Sequence, residues 1–149
     1  MHLQCVLKSA TIVGVAALPV DVEVVVSNGL PGMTIVGMPD AAVRESQERV
    51  RAAIRACGFT MPQDKVVVNL APGSLRKVGA GFDLPIAAAI LGATGQVDSR
   101  KLVQYLWAGE LSLEGAVRPP RPSKFAQSRI AAPRSRSRSA KPASPRNRM

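Results

Sequence analysis

The chain has 149 residues, 46% hydrophobic but only 3% aromatic, so one domain can bury a core built from Val, Ile, Leu and Ala. Its formal net charge of +10 is unevenly placed. Residues through Ala116 hold ten basic and ten acidic side chains, and the whole excess lies in residues 117–149, which describes a neutral body with a basic tail rather than a uniformly basic protein. Two cysteines, Cys5 and Cys57, do not make a disulfide framework, and one histidine, His2, leaves no zinc set. No apolar run approaches the roughly 18 residues that span a bilayer. Ser9–Val20 follows Lys8 as a secretory signal might, but it contains Gly14 and Pro19 and lacks a small-residue cleavage pattern. The expectation is a cytoplasmic protein with no membrane contact.

Strands come first along the chain. Leu3–Leu7 and Ile12–Val15 read as two short strands of one sheet. Val22–Val26 is β-branched, and Met33–Val36 resumes the extended pattern after the turn-forming Ser27-Asn28-Gly29-Leu30-Pro31-Gly32, which predicts a hairpin between the two. The period then changes. Val43, Val50, Ile54 and Cys57 recur near multiples of 3.6, with Pro39-Asp40 as a start signal and Gly58 as a stop, predicting a helix over Asp40–Cys57. Lys65–Leu70 reads as a strand and Ala71–Ala80 as a loop. Asp83-Leu84-Pro85 opens a second helix, with Asp83 as N-cap and a body, Ile86–Leu91, that is apolar all round and therefore buried. Tyr105–Leu113 reads as extended up to the Glu114-Gly115 turn, with exposed apolar surface expected around Leu106–Leu113. From Pro119 to the end there is no acid and no glycine, but there are six Pro, six Ser and the arginine–serine tract Arg134–Ser139, a composition expected to stay disordered.

Three chemical readings compete at the loop before the second helix. Glycines and a lysine ahead of a helix suggest a phosphate cradle, but Lys77 precedes Gly79, and Gly81 is followed by Phe82-Asp83 instead of Lys-Ser or Lys-Thr. The carboxylate of Asp83 would also repel phosphate, so nucleotide binding is not expected. A Ser74–Lys77 dyad is formally available, but a wet loop would not lower the lysine pKa enough to make it a base. Nucleic acid is the third reading. Arg76, Lys77, Arg134, Arg136 and Arg138 are the candidate contacts, expected to be weak and non-specific, with the tail supplying most of the affinity. A tail with one aromatic, Phe125, offers no base-stacking platform.

Several segments together resemble one family. They are Ser27–Asp40 (SNGLPGMTIVGMPD), Ala42–Ser46 (AVRES), Arg49–Ile54 (RVRAAI), Val68–Pro72 (VNLAP), Phe82–Ala87 (FDLPIA) and Gly109–Pro119 (GELSLEGAVRP), in that order. The chain resembles the N-terminal domain of the YifB/ComM family of magnesium-chelatase-like AAA+ ATPases. The resemblance implies an α+β domain over residues 1–118 with the ribosomal protein S5 domain 2-like fold, shared with the proteolytic domain of Lon, followed by a tail over 119–149. Aligned with the Lon pattern, Gly81 takes the place of the nucleophilic serine; the YifB/ComM family usually has arginine there, so the chain departs from both. ATP, magnesium, homo-oligomeric rings and DNA branch migration belong in the family to an AAA+ module beyond these residues. The resemblance therefore implies a non-catalytic accessory domain without a cofactor or metal of its own. The abrupt change after Pro119 is expected of a truncated or frameshifted copy. A Lon-like peptidase and a nucleic-acid-binding protein acting through its tail are the alternatives.

Overall fold

A computed structural model of the chain describes residues 2–120. Four strands, β1 (His2–Val13), β2 (Ala16–Ser27), β3 (Gly32–Val36) and β4 (Lys65–Ala71), form one mixed sheet. Helices α1 (Ala41–Ala56), α2 (Asp83–Ala93) and the short α3 (Ser99–Leu102) follow, with a two-stranded ribbon of β5 (Glu110–Leu111) and β6 (Val117–Arg118) at the end.

Alternation along the strands decides which face the helices cover. Cys5 and Leu7 on β1, Val20, Val22, Val24 and Val26 on β2, Met33 and Ile35 on β3, and Val66, Val68 and Leu70 on β4 all point to one side and are buried. Helix α2 lies against β1 and β2 on that side, and α1 packs beside it toward β3. The opposite face is polar enough to meet water, and its charges pair across strands. Lys8 stands opposite Asp21 with their charged atoms 2.6 Å apart. Asn69 stands opposite Glu23 and donates to its carboxylate at 2.7 Å.

The sheet order is β1-β2-β4-β3, so the predicted hairpin between Val22–Val26 and Met33–Val36 does not form. Strand β4 inserts between them, antiparallel to β2 and parallel to β3. The β3–α1–β4 crossover requires a parallel neighbour, and the central place gives the apolar Val66–Leu70 run a hydrogen-bonded strand on each side. Leu3–Leu7 and Ile12–Val15 are likewise not two strands. Residues 2–13 run as one, because Ser9 and Thr11 turn inward in step with Cys5 and Leu7, and the chain reverses only at Gly14.

Helix α1 runs one residue inside each expected limit, with Asp40 as N-cap accepting from the Val43 N–H at 2.8 Å. In α2 the N-cap is Phe82, with no side-chain cap bond, rather than Asp83. Asp83 is instead the first helical residue and is turned into the core, where a guanidinium outcompetes the helix N–H groups for it. Between Tyr105 and Leu113 only Glu110–Leu111 is strand; α3, which the residue pattern did not suggest, precedes this stretch. Trp107 N–H donates to Lys8 O at 2.8 Å, so this segment lies along the outer edge of β1. Within Leu106–Leu113 the two end residues Leu106 and Leu113 are exposed as expected, whereas Leu111 is buried.

Candidate functional site

Strands β3 and β4 run parallel and end on the same side, so the loops that follow them, 37–40 and 72–82, meet there. Open sheets use this position for ligands. Here the two loops are fastened to each other. The Lys77 N–H donates to Met38 O at 3.1 Å, and the Asp40 N–H donates to Lys77 O at 3.0 Å. Asp40 caps α1 with one carboxylate oxygen and accepts from the Gly79 N–H with the other, at 3.2 Å. Gly37, at φ 101, is the position that requires glycine, because a Cβ there would lie 2.1 Å from the Leu70 carbonyl oxygen.

Lys77 is not in a wet loop, as the sequence reading held; it is fully buried. Its ammonium donates to Gly37 O at 2.7 Å and to Pro72 O, so it stitches both loops from inside. Burial pushes its pKa down. That supplies one condition for a lysine base, but the partners are carbonyls, no hydroxyl is bonded to it among the described residues, and Ser74 is exposed. Arg76, next to it, is exposed while Lys77 presents no charge to solvent. Gly81 lies against the end of the described chain, where an added Cβ would come within 3.1 Å of the Pro120 Cβ. Arg134, Arg136 and Arg138 lie outside the described residues.

A second polar constellation, which no spacing rule points to, ties the helices together. Asp83, fully buried, accepts from Ser46 Oγ at 2.5 Å, from Arg49 Nε at 2.7 Å and Nη2 at 3.2 Å, and from the Leu111 N–H at 3.0 Å. Arg49 also donates to Ala42 O at 3.0 Å. The hydrogen bond to Asp83 and its charge hold the guanidinium pKa above its ordinary value. With four donors on one carboxylate, the lone pairs are used and no substrate proton is within its reach. Ser46 of the AVRES segment and Arg49 of RVRAAI thus close on Asp83 of FDLPIA in one buried lock, joined to β5 by a main-chain bond. The only sequence signal was an acid at a helix start followed by an apolar run, which reads equally well as a cap.

An apolar groove of about 290 Å³ opens beside this lock, between α1, α2 and the terminal ribbon. Cys57, Phe59, Leu84, Leu91, Trp107 and Val117 are among its walls. Among the described residues no group of three His, Cys, Asp or Glu side chains could hold a metal ion, and no helix is long and apolar enough to cross a membrane.

A one-sided mixed sheet with its loops fastened to each other and its helices joined by a buried ion pair defines a mixed α+β domain. The family model for subunit ChlI of Mg-chelatase matches residues 22–132, and the chain belongs to that family. It is 50% identical over 105 residues to the uncharacterized protein YifB of Escherichia coli, covering 70% of this chain and 21% of that one. It is 46% identical over 118 residues to the competence protein ComM of Haemophilus influenzae, covering 79% and 23%. An uncharacterized protein of Mycobacterium tuberculosis is 44% identical over 102 residues, 68% of this chain and 20% of that one. The chain spans about a fifth of the length of these relatives.

Proposed function

We propose that the chain is a non-catalytic accessory domain of the YifB/ComM type, with the S5 domain 2-like fold also found in Lon, serving a magnesium-chelatase-like ATPase that processes DNA. The observation that carries the reading is the inward Lys77. A loop that would cradle phosphate or activate a serine needs its lysine free to face a ligand, whereas here the ammonium holds two main-chain carbonyls. The DNA element is supported by the YifB/ComM resemblance and by the relative named a competence protein. ATP and magnesium belong, in this reading, to an ATPase module outside these residues, and so do ring assembly and branch migration. A cytoplasmic location goes with it.

The test is incubation of the purified chain with labelled ATP and with an unstructured peptide. The expected outcome is no turnover of either. ATP hydrolysis, or peptide cleavage that disappears in Ser74→Ala, overturns the reading in favour of an ATPase or a Lon-like peptidase.

A further inference from the structure

We infer that the exposed face of α1 is a phosphodiester-binding surface for a nucleic-acid strand, with Arg51 and Arg55 as its anchors; this rests on the DNA reading above. Arg44, Glu48, Arg51 and Arg55 are spaced by four, three and four residues, so they fall on one face of α1 in a stripe about 16 Å long. Over that length duplex DNA carries on the order of nine charges. Three guanidiniums face one carboxylate in the stripe. Glu48 stands 3.8 Å from Arg51 with its side chain 79% exposed, too loose a pair to neutralise the arginine. Arg44 and Arg55 have no ion pair among the described residues, and residues 121–149 contain no Asp or Glu.

The stripe ends in a built feature. A polar notch of about 110 Å³ lies between Arg51 and Arg55 on the helix side and Pro31, Pro62 and Gln63 on the loop side. The two prolines fix the backbone of its walls, so an oxyanion would meet a preformed cleft rather than two free side chains. Gln63 donates one amide hydrogen to Met61 O at 3.3 Å, which orients its side chain. Paired guanidiniums about 6 Å apart along the axis suit phosphate oxygens by bidentate hydrogen bonding. Among the described residues no aromatic side chain lines the notch, so it offers bases no stacking platform, and the guanidiniums suit phosphate oxygens.

The experiment is fluorescence anisotropy of the full chain with a labelled DNA duplex, titrated at stepped salt concentrations. In Arg51→Gln/Arg55→Gln the plot of log affinity against log salt should become shallower by about two, whereas Arg51→Lys/Arg55→Lys should keep the slope. Retention in the lysine variant shows that charge, not folding, carries the effect. An unchanged slope in the glutamine variant, with the affinity lost instead in Arg134→Gln/Arg136→Gln/Arg138→Gln, overturns the inference and leaves the DNA reading standing. Absence of binding by the unaltered chain at low salt overturns both. Displacement of the duplex by inorganic phosphate at matched ionic strength, or by poly-glutamate at equal charge, would mark a free-oxyanion or an acidic-peptide site and also overturns it.

Discussion

Lys77 shows how burial reverses the reading of a residue. In the sequence it stands beside Arg76 in a glycine-bearing loop, and the pair reads as a surface patch. In the structure the two part company: Arg76 is exposed, and Lys77 is buried with its ammonium on Gly37 O and Pro72 O. Lys77→Met leaves both carbonyls without that donor, so it should destabilise the chain by about 3 kcal/mol in denaturant melts. Arg76→Ala should stay within about 0.5 kcal/mol. The pH dependence has a definite sign. The folded pKa of Lys77 lies below the unfolded value near 10.5, so between the two the unfolded chain binds more protons and stability rises with pH. The melting difference between the unaltered chain and Lys77→Met should therefore widen as pH climbs toward 10.5. A difference that narrows over this range contradicts the assignment.

Between elements, the decisive contact is the Arg49–Asp83 pair, which joins the middle of α1 to the first turn of α2. Helix α2 is apolar all round and finds its place by burial alone, which fixes depth but not rotation. The buried carboxylate sets the rotation, because four donors from α1 and β5 converge on it. Arg49→Met should cost about 3–5 kcal/mol, because it strands the fully buried Asp83 carboxylate, and Asp83→Asn should cost less, because the half-buried Arg49 guanidinium still reaches solvent. The double variant should cost less than the sum of the two. Additivity in a double-mutant cycle would show that the pair is not coupled. The existence and limits of α1 were legible in advance, since Asp40, the 3.6-residue period and Gly58 act locally. The role of Asp83 was not legible. Its partners Ser46 and Arg49 lie more than thirty residues away, and nothing local distinguishes an inward carboxylate from a cap.

On the scale of the whole molecule, an apolar groove opens beside the terminal ribbon, and Trp107 on its wall is the sole tryptophan of the chain. An environment-sensitive dye such as anilinonaphthalene sulfonate should bind the native chain and quench Trp107 emission; unchanged emission would show the groove closed in solution. Near-neighbour patterns were enough for the alternation that buries one face of each strand, the period and cap of α1, the buried character of α2, the division of charge at residue 117, and the ordered motifs that carry the family. Strand order was decided only in the tertiary structure. Asn28–Pro31 was equally able to start a hairpin or to lead β3 to the far side of a strand not yet formed, and β4 settled the choice by pairing on both edges. Which charges face water was decided there too. Lys77 and Asp83 were drawn inside by carbonyls and a guanidinium brought from distant elements, while Arg51 and Arg55 were left along the cleft. The physical reason is range: propensity and periodicity act over a few residues, but a buried charge is placed by whichever partner the fold delivers to it.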